Sequence, residues 1–246
     1  MNLEKLRESS FVSLIAVFAA FNIVCDSLTG PLLDISGVWY SWIFIAEPIN
    51  GIMLGPYASF FSTFIGVMVG HSIYIRHSAE FLFTLGAPIG AMITSLTFAG
   101  KWKIALIYYS TLLGAFFLTP VSWQLPFWGM WNVYLAFVCL LILVVIMKKW
   151  KHLWDTKSDS VRFLCIIALC AFIGLEADVL FRIFVLVPCQ TYQTFFGWDV
   201  DILQSIWTVG AVETSTKAAL STLISMIVAP PIIKAVRKMG LTISED

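Results

Sequence analysis

Residues 205–238 read SIWTVGAVETSTKAALSTLISMIVAPPIIKAVRK and make up most of the last long apolar segment, residues 203–238. A helix of this length can cross a bilayer with some tilt. Glu213 and Lys217 are four residues apart, so they share one helix face and can form an ion pair. Ionisable groups inside a membrane are costly unless they meet a partner, water or a ligand. We therefore interpret this face as the polar floor of a cavity surrounded by the other helices; a structural ion pair that only locks helix packing is the alternative.

The composition of the whole chain agrees with a membrane location. Hydrophobic residues make up 59% of the 246 residues and charged residues 12%, against about 25% charged residues in a typical soluble domain. The mean hydropathy is +0.89. We predict an all-α, polytopic integral membrane helical bundle in which residues 1–246 form a single membrane domain. Because the net charge is zero, there is no bulk electrostatic attraction to nucleic acid.

Eight apolar segments can be read along the chain, which gives about six to eight transmembrane helices. The predicted helices cover residues 11–25, 42–54, 57–75, 81–99, 104–118, 128–147, 163–187 and 203–238. The tight break at Gly55 and Pro56 predicts that the second and third helices are antiparallel neighbours. The sequence GAPIG at residues 86–90 predicts a kink in the fourth helix.

The distribution of basic residues predicts the orientation of these helices. Arg76 is the only Lys or Arg in the turns after helices one, three, five and seven, whereas the other turns and both ends of the chain are basic. By the positive-inside rule, both termini are cytoplasmic, and residues 148–162 form a cytoplasmic basic loop. The predicted location is the cytoplasmic membrane of the cell, with the first helix retained rather than cleaved.

Further ionisable residues lie in apolar segments. Asp178 and Arg182 are four residues apart in the seventh helix and can pair. Glu176 points about 200° away from Asp178 on the same helix, so it needs a separate partner such as Lys217 or a ligand. Glu47 is an additional acid in the second helix.

Together with the pair in the last helix, these residues predict a charged cluster in the outer half of the membrane. Buried charge of this density indicates ligand contacts, an ion or proton site, or fixed ion pairs between helices. Aromatic residues near this cluster, Trp42 among them, can stack on a planar ring or anchor the helices at the membrane interface. The predicted substrate-binding residues are Trp42, Glu47, Glu176, Asp178, Arg182, Glu213 and Lys217.

Signatures of catalysis are missing from the sequence. There is no HExxH, GxSxG or GxxxxGK[ST] motif, so zinc proteolysis, serine hydrolysis and P-loop ATP hydrolysis are not indicated. We predict a protein that is not an enzyme and has no cofactor or metal site. His71 is interpreted as a packing histidine with satisfied hydrogen bonds. Cys25 and Cys189 can both lie near the outer face, which leaves a disulfide between them open.

Several short motifs carry a resemblance to a known family. Ala16 and Ala20 form an AxxxA face that allows close helix approach in lipid, GIMLGP occupies residues 51–56 ahead of YASFFSTFIG, and the last helix ends in Pro230 and Pro231. With these motifs the chain resembles the substrate-binding S-components of energy-coupling factor (ECF) transporters. S-components usually have six helices, whereas this chain has about eight segments.

The resemblance implies a subunit that captures a vitamin or related micronutrient from outside. It implies docking on a coupling transmembrane subunit driven by two cytoplasmic ATPases, with Ala16 and Ala20 as the docking face and residues 26–41 as a gate over the ligand. A stand-alone ion- or proton-coupled secondary transporter, with Glu176, Asp178 and Glu213 as a relay, is the alternative. The mixture of acids, bases and aromatic rings is compatible with a zwitterionic or cationic heterocycle.

Overall fold

The computed structural model describes residues 3–30, 40–73, 80–149 and 161–238, and these residues form an all-α bundle with one short strand pair. The strands β1 (Thr29–Gly30) and β2 (Tyr40–Ser41) are antiparallel. Two 3₁₀ turns, Pro120–Gln124 and Phe127–Met130, precede the seventh helix. The helices are α1 (Leu3–Ser27), α2 (Ile43–Leu54), α3 (Pro56–Ile73), α4 (Glu80–Thr84), α5 (Gly86–Phe98), α6 (Trp102–Leu118), α7 (Trp131–Lys149), α8 (Val161–Leu186), α9 (Thr191–Thr194) and α10 (Val200–Lys238).

The prediction of a helical membrane bundle is confirmed. Among the described residues, four helical stretches are long and apolar enough to cross a membrane: Glu80–Phe98, Phe127–Lys148, Val161–Leu186 and Val200–Val236. Three shorter apolar helices accompany them: Phe11–Ser27, Ile43–Leu54 and Trp102–Leu118. The orientation of the termini stays a prediction. Arg76, His77 and residues 150–160, the main part of the predicted basic loop, lie outside the described residues.

The predicted fourth helix is divided into α4 and α5, with the break at Leu85. Pro88 therefore falls in the first turn of α5. Its missing N–H costs little there, because the first N–H groups of a helix have no partner within the helix. The sequence GAPIG predicted a kink within one helix. The structure instead has a break between two helices, immediately before this motif.

Helix α8 lies at the centre of the bundle, where it packs against α2, α5, α6, α7 and α10. Glycines allow it to approach α5 especially closely. Gly90 of α5 and Gly174 of α8 face each other. A Cβ added at Gly174 would lie 1.7 Å from Thr94 Oγ1 and 2.8 Å from the Gly90 carbonyl oxygen. Small residues permit this approach, as in other membrane helix pairs.

A hydrogen bond between α2 and α10 pairs a backbone carbonyl that a proline leaves unpaired within α2. Pro48 has no N–H to donate to the carbonyl of Phe44, four residues earlier. The hydroxyl of Ser221 in α10 donates to the Phe44 oxygen instead, at 2.5 Å. A buried carbonyl that the proline leaves unpaired is thereby satisfied by a neighbouring helix.

The cysteines are unpaired, so the disulfide that the sequence left open between Cys25 and Cys189 is not formed. Cys25 is buried in a small apolar cluster with Ile43, Ala46 and Val67. Cys189, after the end of α8, is exposed. The burial of Cys25 on the inner face of α1 explains why it acts as a small packing residue.

Candidate functional site

A cavity of about 270 Å³ lies among the helices, and its wall combines charged, polar and aromatic side chains. The wall is built from the ends of α1 and β2 and from α2, α3, α4, α5, α7, α8 and α10, together with the segment after α9. A mostly apolar cavity with a few convergent polar groups is the usual form of a small-molecule site.

Two ion pairs within single helices face this cavity. Arg182 donates from Nε to Asp178 Oδ1 at 2.6 Å and from a terminal nitrogen to Asp178 Oδ2 at 2.8 Å. Lys217 donates to Glu213. All four residues lie on the cavity wall. The pairing predicted from the four-residue spacing is therefore confirmed for both pairs, while their role in binding stays a prediction.

Glu176 lies behind the wall and has a partner from another helix. Both of its carboxylate oxygens accept hydrogen bonds from Asn132 Nδ2 of α7, at 3.1 and 2.9 Å, and the same amide nitrogen lies 2.9 Å from Thr214 Oγ1 of α10. The direction of Glu176 on the helix predicted a partner other than the residues that pair with Asp178, and this is confirmed. The partner is Asn132, however, and not Lys217. Asn132 itself lines the cavity, and the sequence analysis did not identify it. Its position as an amide in the first turn of an apolar span was the available signal.

Glu47 and Trp42 are close to the cavity without lining it. Glu47 is 0% exposed, and neither of its carboxyl oxygens has a hydrogen-bond partner within the described residues. Trp42 is 38% exposed and stacks on Phe44 with ring centres 5.8 Å apart. Phe44, rather than Trp42, reaches the cavity wall.

A second polar group on the wall joins four chain segments. His71 Nδ1 of α3 lies 2.7 Å from Asp26 Oδ2 of α1, and His71 Nε2 lies 2.6 Å from Thr84 Oγ1 of α4. Ser41 donates to Asp26 Oδ1 at 2.9 Å. His71 is buried and hydrogen-bonded, as predicted, but it also lines the cavity. Asp26 was assigned to a loop from the sequence, whereas it lies in the last turn of α1.

Aromatic rings form the remaining part of the wall. Phe196 and Trp198, after α9, stack with ring centres 4.5 Å apart. Trp207 of α10 stacks on Phe116 at 5.6 Å and donates from Nε1 to the Pro126 carbonyl at 3.0 Å. These contacts hold the indole and phenyl groups in place before any ligand enters.

The described wall residues contain more acids than permanent cations. The carboxyl groups are those of Asp26, Glu80, Asp178 and Glu213, and the permanent cations are Arg182 and Lys217. Three of these acids have partners on the same wall, namely His71 for Asp26, Arg182 for Asp178 and Lys217 for Glu213. The aromatic faces of the wall attract cations through their quadrupoles, which suits a ligand that carries a positive charge.

The predicted docking residues lie on the surface of α1. Ala16 and Ala20 are exposed, whereas their neighbour Ala19 is buried near Gly66 of α3. The two alanines therefore form a small-residue face that the described part of the bundle does not cover.

No family model, curated protein or solved structure matches this chain. The described residues contain no group of three or more His, Cys, Asp or Glu side chains arranged to hold a metal ion. The cavity and its residues are consequently the features of the molecule that indicate a function.

Proposed function

We propose that this protein is a membrane-embedded solute-binding subunit that takes up a vitamin or related small micronutrient. The observation that carries the proposal is the cavity of about 270 Å³ lined by two ion pairs and by stacked aromatic rings. Charged groups facing a cavity between membrane helices are typical of a substrate pathway or binding site. The best ligand is a small planar molecule with at least one cationic group.

The arrangement of the two ion pairs supports a role in ligand binding. The Lys217 and Glu213 side chains are 23% and 28% exposed, the Arg182 side chain is 41% exposed, and all three residues line the cavity. A zwitterionic or cationic ligand can exchange partners with these pairs, because each already holds one acid and one base in position.

Energy for uptake would come from partner subunits. The sequence has no GxxxxGK[ST] motif that would let the chain hydrolyse ATP by itself. We propose that a coupling transmembrane subunit, driven by cytoplasmic ATPases, docks on the exposed Ala16 and Ala20 face. Small residues allow a partner helix to approach closely in lipid.

The first test is mass spectrometry of small molecules released from the purified, denatured protein. Tight binding is accompanied by slow dissociation, so a high-affinity capture protein retains its ligand through purification. We expect a stoichiometric, ring-containing, cationic or zwitterionic compound. Purified protein without any such compound, and with no binding in a screen of water-soluble vitamins, would contradict the proposal.

Glu213→Gln tests whether the α10 pair binds the ligand or only stabilises the helix. A partly exposed ion pair within one helix contributes only about 0.3–0.5 kcal/mol to stability. We expect the variant to lose at least about tenfold in ligand affinity, equivalent to about 1.4 kcal/mol, with little change in Tm. Unchanged affinity together with a lower Tm would support the structural alternative.

A stand-alone ion- or proton-coupled secondary transporter is the second candidate, and the buried carboxyl of Glu47 favours it. The two proposals differ in what the isolated chain can do. Uptake driven by a proton or sodium gradient into vesicles containing only this protein would support the secondary transporter. Uptake that requires co-expressed ATPase subunits would support the binding subunit.

A further inference from the structure

Glu47 differs from the other buried acids of the bundle in its surroundings. Glu176 accepts two hydrogen bonds from Asn132, and Asp178 accepts two from Arg182. Glu47 is 0% exposed and has no hydrogen-bond partner among the described residues for either oxygen. An isolated carboxylate at such a position is highly unfavourable in a membrane protein unless a cation neutralises it.

Other oxygen atoms converge near this carboxyl group, where α2, α5 and α8 meet. A Cβ at Gly90 would lie 1.9 Å from Glu47 Oε1 and 2.8 Å from the Gly174 carbonyl oxygen. Thr94 Oγ1, one turn further along α5, would lie 1.7 Å from a Cβ at Gly174 and is also buried without a partner in the described structure. The glycines therefore leave room for a carboxyl, a hydroxyl and backbone carbonyls at one helix junction.

The oxygen atoms at this junction select for a hard cation, since carboxylate, hydroxyl and carbonyl oxygens are hard donors. A single carboxylate supplies one negative charge, which matches a monovalent rather than a divalent ion. Proton and sodium both satisfy this chemistry.

The junction is also next to the cavity. Asp178 Oδ1 would lie 1.8 Å from a Cβ at Gly86, which is one turn before Gly90 on α5. Glu47 and Asp178 thus contact successive turns of the same helix. The charged groups that act on Glu47 electrostatically are Asp178 and Arg182, from the cavity wall, and Glu176.

We propose that Glu47 is the binding site of an exchangeable monovalent cation, H⁺ or Na⁺, at the junction of α2, α5 and α8. A bound proton makes the carboxyl neutral and lets it donate to a backbone carbonyl. A bound sodium ion is coordinated by the carboxylate together with neighbouring oxygens. This site is separate from the substrate cavity, and its existence does not depend on the identity of the substrate.

Infrared difference spectroscopy of the purified full-length protein tests the proton. Wild type minus Glu47→Gln should show the carbonyl stretch of a protonated carboxyl, and this band should disappear at alkaline pH. Asp201→Asn is the control, because Asp201 is an exposed acid at the start of α10. We expect the control to keep the Glu47 band unchanged.

Thermal unfolding in NaCl and in choline chloride at equal ionic strength tests the sodium ion. If Na⁺ is the occupant, it should raise the Tm of the wild type by several degrees in a saturable manner. Glu47→Gln should show no such rise, and Asp201→Asn should respond as the wild type does.

Either the infrared band or the sodium response, when lost in Glu47→Gln, supports the site and identifies its occupant. The lack of both in the wild type would overturn the proposal. If Glu47→Gln does not fold, Glu47→Asp keeps a carboxyl but shortens the side chain. A displaced band or weakened sodium response in that variant then supports the site, and identical behaviour to the wild type overturns it. All these measurements can fail while ligand retention succeeds, so they are distinguishable from a failure of the proposed function.

Discussion

At the scale of single residues, buried polar groups of the bundle differ in whether they have a hydrogen-bond partner. Ser221 and Ser225 are both fully buried on α10, four residues apart. Ser221 donates to the Phe44 carbonyl, whereas the Ser225 hydroxyl has no partner within the described residues. Two side chains of identical chemistry on one helix therefore have different energetic roles.

Ser221→Ala should destabilise the protein, because it leaves the buried Phe44 carbonyl without a donor. We expect a loss of roughly 1–3 kcal/mol in the free energy of unfolding, measured by denaturation in detergent micelles. Ser225→Ala is the matched control and should stay within about 0.5 kcal/mol of the wild type. Equal destabilisation by the two variants would contradict the assigned role of the hydrogen bond.

At the scale of helices, the contact between α5 and α8 positions most of the site. Asp178 and Arg182 project from α8 toward the cavity, and Gly86, Gly90 and Gly174 let the backbones approach. Tyr108 and Tyr109 of α6 donate to α8 carbonyl oxygens at 2.8 and 2.6 Å. The position of α8 is thus determined from two sides.

Gly174→Ala should separate α5 from α8, since its Cβ would overlap Thr94 and the Gly90 carbonyl. We expect a loss of about 1–3 kcal/mol in stability from overpacking, with weaker binding of any retained ligand. Gly114→Ala on α6 is the control, because a Cβ there meets no atom within 4 Å. Its stability should equal or exceed that of the wild type by up to about 1 kcal/mol. The prediction fails if the two alanine variants behave alike.

The two faces of α1 lead to a prediction about docking. Ala16→Leu and Ala20→Leu should fold and bind ligand normally, because both positions are exposed. If a coupling subunit docks on this face as proposed, cellular uptake should fall at least about tenfold, because larger side chains prevent close helix approach. Ala19→Leu should instead lower the Tm, since Ala19 is buried. Loss of ligand binding in the Ala16 or Ala20 variants would count against a docking role.

At the scale of the whole molecule, the arrangement in the membrane follows from the charge pattern. Basic residues are concentrated in alternate turns and at both ends of the chain, and by the positive-inside rule this pattern predicts that both termini are cytoplasmic. The predicted orientation places the segment between α8 and α10 outside the cell. Phe196 and Trp198 of the cavity wall belong to this segment, so this orientation would open the site toward external solute.

Cys189 offers a direct test of the orientation, because it is exposed just after α8. A membrane-impermeant thiol reagent added to intact cells should label the wild type and should not label Cys189→Ser. Cys170 provides an internal comparison, because it is buried and should stay unlabelled in the folded protein. Labelling of Cys189 only after the cells are permeabilised would reverse the predicted topology.

The sequence alone determined the features that depend on local geometry and composition. Apolar run lengths located the helices, and α2 and α8 begin and end within a few residues of their predicted bounds. Four-residue spacing predicted the pairs of Asp178 with Arg182 and Glu213 with Lys217, because a helix places such residues on one face whatever surrounds it.

Only the tertiary structure decided how groups distant along the chain meet. Asn132 reaches Glu176 across 44 residues, and Asp26 meets His71 across 45. No helical periodicity relates such residues, since their contact depends on which helices pack together and how closely. The glycines between α5 and α8 set that closeness. They leave Glu47 buried behind the cavity wall rather than on it, and this placement separates the proposed cation site from the proposed solute site.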